Sequence, residues 1–130
     1  MTTELKYLAL VATLNALIWI PYILNMIMVR GLADAVGYPE NPKPMAPWAT
    51  RLKAAHYNGV ENLVVFAALV LIAHVAGVKG EATAMASVIY FWTRVVHAVA
   101  YTFAIPWVRT LAFAVGWACQ LTLAYKVLGQ

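Results

Sequence analysis

The chain has 130 residues, of which 64% are hydrophobic and 11% charged, with a mean hydropathy of +0.75. Soluble domains are roughly 45–50% apolar, so this composition excludes an ordinary soluble domain and reads as one integral-membrane domain over residues 1–130. The net charge of +4 is spread among hydrophobic runs rather than gathered in a block, which argues against a nucleic-acid partner, and the only cysteine, Cys119, permits neither an intrachain disulfide nor a Cys-based metal site.

The first predicted element is a helix over about 5–29, long enough to cross a hydrocarbon core of about 30 Å. Its start carries Glu4 against Lys6 and its apolar run is long, so it reads as a spanning helix rather than a cleavable signal. Pro21 predicts a kink, because proline has no amide hydrogen to offer the preceding turn. Asn15 and Tyr22 lie two turns apart on one face, and Arg30 stands at the exit, where a snorkelling anchor is the plain reading. Residues 31–47, rich in Gly and Pro, predict a long polar loop.

A second helix is expected over 47–78. Its first half places Arg51, Ala54, Asn58, Glu61 and Val65 on one face. A carboxylate facing lipid is penalised by roughly 2.5–3.5 kcal/mol, so this face should point at protein or water. The GVKGEA stretch (77–82) predicts a tight return and an antiparallel third helix over 83–104. On that helix Tyr90, Arg94, His97 and Tyr101 share one face. Arg94 falls near mid-span, where a cation needs a partner; matched depths predict Glu61 opposite Arg94 and Asn58 opposite His97. A fourth helix over 107–128 is expected to open with Pro106 in its first turn and Arg109 close to Tyr101.

Together these give an all-α, four-helix transmembrane bundle with both termini on one side. Arg30, Lys43, Arg51, Lys53 and Arg109 flank one side, against Lys6, Lys79 and Lys126 on the other. The positive-inside rule then puts the long loop in the cytoplasm and both termini outside. For the polar groups, structural gluing of helices competes with a binding site, and His56 with His97 as haem ligands is a weaker alternative, since no attachment motif accompanies them. Proton or ion transport fits poorly with a single acidic residue beside a fixed arginine.

Two stretches carry a family resemblance. AHYNGVENL (55–63) resembles the Arg-Ala-His-x-Asn-x-x-Glu signature of the MAPEG family, the membrane-associated proteins of eicosanoid and glutathione metabolism. RVVHAVAY (94–101), followed by Arg109, is similar to the third-helix segment of prostaglandin E synthase and to the arginine that opens the fourth helix in the catalytic members. The resemblance, read as that of a small bacterial-type member, implies a homotrimer in a bacterial inner membrane with glutathione between adjacent subunits near the cytoplasmic face. By position, Arg30, Asn58, Glu61, His97, Tyr101 and Arg109 match residues that contact glutathione; Arg94 matches an intramembrane arginine of the same site, and Thr110 stands where a serine is found.

Two positions depart from the family pattern. The signature arginine is Ala54 here, with Arg51 and Lys53 the nearest cations, and a tyrosine of some members is Phe113. The implied activity is a glutathione-dependent transferase or peroxidase acting on lipophilic electrophiles from the bilayer, with glutathione as co-substrate. In that reading Arg109 stabilises the thiolate and Tyr101 donates to the sulfur, while Arg30, Arg51 and Lys53 hold carboxylates and Glu61 the amino group. The alternative is a non-catalytic member that binds a membrane lipid or a partner protein. No metal is implied.

Overall fold

The computed structural model describes residues 1–130 as helices joined by turns and one longer irregular connection. Six helices follow in order: α1 (Thr3–Leu17), α2 (Trp19–Arg30), α3 (Leu32–Val36), α4 (Pro47–Val75), α5 (Glu81–Thr102) and α6 (Val108–Leu128). Thr3–Arg30, Pro47–Val75 and Val108–Leu128 are each long and apolar enough to cross a membrane. The α5 segment is more polar, carrying the Tyr90–Tyr101 face, and it packs against α1, α4 and α6. The apolar centre is built from all four of these helices: Val11 on α1, Phe66 and Val70 on α4, Ala86 and Tyr90 on α5, Cys119 and Leu123 on α6.

The first expected helix is broken rather than bent. The Ile18 amide makes the last regular bond, to Leu14 O at 3.0 Å, and α2 starts afresh at Trp19. Pro21 is the cause, since it has no N–H for the Leu17 carbonyl one turn earlier. Freed carbonyls in an apolar surrounding need other donors. Asn15 O accepts from His56 Nε2 at 3.0 Å, and Ala16 O from the Trp19 indole at 2.7 Å. A carbonyl only accepts, so the His56 proton sits on Nε2 and its Nδ1 accepts from the Tyr22 hydroxyl at 2.8 Å. One imidazole thus ties both halves of the broken helix to α4. With both its nitrogens bonded inside the chain, His56 has none left for a haem iron.

The connection expected as plain loop contains the short α3. Arg30 latches it, donating through Nε to Lys43 O at 2.6 Å, while Asn25 Oδ1 receives the Ala46 amide at the head of α4. A second small core, Tyr22 with Ala49 and Leu52, seats α2 on α4. Pro47 opens α4 in its first turn, where a missing amide hydrogen costs nothing.

The long helices end earlier than periodicity alone suggested, for a local reason. After α4, Gly77 takes φ +72° and the Val78 amide returns to Ala73 O at 2.8 Å; after α5, Ala104 takes φ +54° and Ile105 returns to Ala100 O at 2.9 Å. Both are Schellman-type ends, the second made without glycine. Pro106 lies outside α6, because Trp107 has φ +70° and the helix begins only at Val108.

Gly59 leaves room on α4 for the Asn15 side chain of α1. A Cβ there would lie 2.8 Å from Asn15 Oδ1 and 3.6 Å from Arg94 Nη2, and Asn15 cannot swing away freely because its Nδ2 is bonded to Val11 O. Gly59→Ala therefore sets a helix-propensity gain of about 1 kcal/mol against an overpacking cost of about 1–3 kcal/mol. The expected result is a lower melting temperature of the detergent-solubilised protein, recovered when Asn15→Ala is added. A single variant as stable as wild type would refute the close-packing argument.

Candidate functional site

The predicted face of α5 exists and points inward. Arg94 and His97 are 5% and 2% exposed, Tyr101 is half-buried at the end of the row, and the His97 and Tyr101 rings meet edge to face with centroids 5.7 Å apart. Arg109, from the first turn of α6, lays its guanidinium over the Tyr101 ring, 4.4 Å from its centroid. The row thus runs from a buried cation to an exposed one through an imidazole and a phenol.

Arg94 does not meet Glu61. Its Nη2 donates to Asn58 Oδ1 at 2.8 Å and approaches His97 Nδ1 at 3.4 Å. The guanidinium instead lies between Asn58 and His97, while Glu61 is turned to the exposed side of α4. The consequence is electrostatic. Both acceptors are neutral, so the buried charge of Arg94 is hydrogen-bonded without being cancelled, and it remains an attractor for an anion.

At the end of the row lies a cleft of about 210 Å³ whose polar lining is Arg51 from α4, Tyr101 from α5, and Arg109 and Thr110 from α6. Arg51 is held there by its Nε, which donates to Thr102 O at the end of α5 at 2.9 Å. Two guanidiniums share this cleft with a phenol and a hydroxyl, and none of its lining residues is acidic. Its rim is the 104–107 turn, where Ala104 and Trp107 both have positive φ. Such strain costs on the order of 1–3 kcal/mol per residue and gathers at functional sites.

The remaining candidates are not in this cleft. Arg30 is engaged with the loop, through Lys43 O and with Met26 Sδ 3.2 Å from Nη1. Lys53 lies over the Tyr57 ring, 5.6 Å from its centroid, and Glu61 is exposed on α4. Of the two cations near the Ala54 position, only Arg51 reaches the cleft.

Two polar residues escaped the motif reading. Asn62 Nδ2 donates to Asn58 O at 2.9 Å and lies 3.4 Å from Asn58 Oδ1, and Gln120 Nε2, on α6, donates to Asn62 O at 3.1 Å. The available signal for Gln120 was its solitude, a lone amide inside an apolar helix and 5% exposed.

Comparison with known proteins gives a consistent picture. The chain is similar to Microsomal glutathione S-transferase 1 of Mus musculus, 34% identical over 79 residues, which is 60% of this chain and 51% of that protein. The same-named proteins of Rattus norvegicus and Homo sapiens are 33% and 29% identical over the same shares. The chain thus spans about half the length of the curated relatives it matches. No solved structure matches it. The family model described as MAPEG family matches residues 8–129, nearly the whole length, and the chain belongs to that family.

Proposed function

We propose that the chain is a membrane-embedded, glutathione-dependent transferase or peroxidase acting on lipophilic electrophiles, and that it works as a homotrimer of four-span subunits. The observation that carries this reading is the cleft in which Arg51, Tyr101, Arg109 and Thr110 converge without a carboxylate. Glutathione brings two carboxylates and a thiol that reacts as its anion, and such a cleft favours anions. The family and the transferase name of the similar proteins agree with this chemistry.

In this reading α5 crosses the membrane as the fourth span, its polar face shielded by α4 and α6. The long loop faces the cytoplasm and the termini the other side. A free thiol has a pKa of about 8.5, and lowering it by two units requires about 2.7 kcal/mol of preferential stabilisation of the thiolate. Arg109 supplies it, because a guanidinium stays charged and cannot itself be the proton donor. The Tyr101 hydroxyl donates a second bond to the sulfur. Arg51 takes the place left by Ala54 and holds a carboxylate, while Asn58, Arg94 and His97 extend the positive potential inward. The electrophile arrives from the bilayer, where it is already concentrated.

The homotrimer rests on the outer face of α4. Tyr57, Glu61, Val64, Ala68, Leu71 and Val75 are all exposed and follow a four-three-four-three-four spacing, the repeat of a helix seam. Glu61 in that seam would cost roughly 2.5–3.5 kcal/mol against lipid, so a second copy covers it better than acyl chains do. Arg30, Lys53 and Glu61, which their own cleft leaves out, then serve the ligand across the subunit boundary.

A non-catalytic lipid-binding role has one observation in its favour, an apolar groove of about 560 Å³ beside the helix break, lined by Ile18, Pro21, Trp48, Leu52 and Phe103 among others. Calorimetry with glutathione, followed by conjugation to a generic aromatic halide, separates the two readings. Binding and turnover support the transferase; a folded protein that takes lipid but no glutathione supports the other.

Three outcomes are expected. Arg109→Leu should remove the ultraviolet thiolate band of bound glutathione while the protein stays folded, and a band that survives would move the role to another cation. Arg51→Leu should weaken glutathione binding by roughly ten- to a hundredfold, the value of a charge-assisted bond of about 1.5–3 kcal/mol, with Lys53→Leu far milder. The reverse order would make Lys53 the clamp. Mass measurement in mild detergent should give three copies, and a monodisperse monomer or dimer would sink the trimer.

A further inference from the structure

We infer that Asn62 and Gln120 are positioning residues, which orient the Asn58 amide so that its oxygen faces Arg94 and its nitrogen is left for an anionic or other hydrogen-bond-accepting group of the ligand. The inference deepens the proposed glutathione site and rests on that reading for its ligand, though not for its geometry.

The polarity of the network follows from groups that cannot reverse roles. A backbone carbonyl only accepts, so the Gln120 amide must present Nε2 to Asn62 O, and the Asn62 amide must present Nδ2 to Asn58 O. A guanidinium only donates, so Asn58 must present Oδ1 to Arg94 Nη2. Asn62 Nδ2 also sits 3.4 Å from that same Oδ1, so one donor on each side holds the oxygen in place. Turning the Asn58 amide over would set its NH2 against two donors at once. The amide is therefore locked, and Asn58 Nδ2 makes none of the hydrogen bonds inside the chain.

Locking has a chemical consequence for the ligand. With Oδ1 committed, Asn58 can only donate, which adds to the unneutralised charge of Arg94 and rejects a cationic group at that point. None of Asn58, Asn62 and Gln120 lines the cleft; Asn58 lies further in, on Arg94, and Asn62 and Gln120 act through it. Gln120 also staples α6 to α4 at the same level, which couples the helix carrying Arg109 to the helix carrying Asn58.

A double-mutant cycle tests this on the full-length protein in detergent. Asn62→Leu should raise the glutathione Kd about tenfold, Gln120→Leu about threefold, and Asn62→Gln, which keeps the donor, less than about twofold. In an Asn58→Ala background Asn62→Leu should add nothing, whereas a merely structural role for Asn62 costs the same in both backgrounds and overturns the inference. A readout independent of ligand is nitrogen NMR of the Arg94 guanidinium. Its Nη signals should be distinct in wild type and Asn62→Gln, and merge in Asn62→Leu as rotation is released. If Asn62→Leu does not fold, Gln120→Leu is read in the same two ways. Unchanged Arg94 signals in a folded variant reject the positioning role, and a wild type that binds no glutathione rejects the proposed ligand while the NMR still decides the geometry.

Discussion

The arrangement of helices depends on how one buried cation is accommodated. Arg94 is 5% exposed inside a chain whose hydrophobic fraction is 64%. A buried charge without hydrogen bonds costs several kcal/mol, so the neighbouring helix must bring acceptors to it. Asn58 does so from α4 and His97 from α5 itself. Gly59, next to Asn58, has no side chain and so lets Asn15 of α1 into contact at the same level. Residues of α1, α4 and α5 thus gather around a single guanidinium. Because its partners are neutral, the fold keeps a positive charge within itself instead of quenching it.

The broken first helix follows a related constraint. An interrupted helix in an apolar surrounding exposes carbonyls that water cannot reach, and only side chains can satisfy them. His56 and Trp19 supply the donors, and Tyr22 fixes the imidazole's tautomer. His56 lies two residues before Asn58, so the same turns of α4 hold the break on one face and the buried arginine on another. A residue that resembles a ligand in the motif is explained by the backbone it supports.

At the other end of the α5 row the physics changes from burial to strain and exposed charge. The turn between α5 and α6 holds two non-glycine residues at positive φ, and beside it Arg109 lies over Tyr101 and Arg51 on the Thr102 carbonyl at the end of α5. Cations near a helix C-terminus are favoured by its dipole, which lets Arg51 sit there while its outer edge faces the cleft. The proposed chemistry needs this contrast, with an inner charge that is fixed and an outer pair that a ligand can reach.

Much of this was legible in the residues. Hydropathy gave the long apolar helices, the spacing of Tyr90, Arg94, His97 and Tyr101 gave the inward face of α5, and Pro21 located the fault in the first helix, because composition and periodicity act locally. The quoted motifs gave the family, which the match over residues 8–129 bears out. What the sequence could not decide was which groups meet across helices. Depth counting paired Arg94 with Glu61, but the guanidinium reaches along α5 to lie beside His97 and bonds Asn58 instead. Arg51 and Lys53 are equivalent as a string and separate only once α5 and α6 close a cleft on one side of α4. Asn62 and Gln120 are 58 residues apart and joined by one hydrogen bond. Side-chain type and period are properties of the chain, whereas register and the polarity of a hydrogen-bond network exist only when helices are packed.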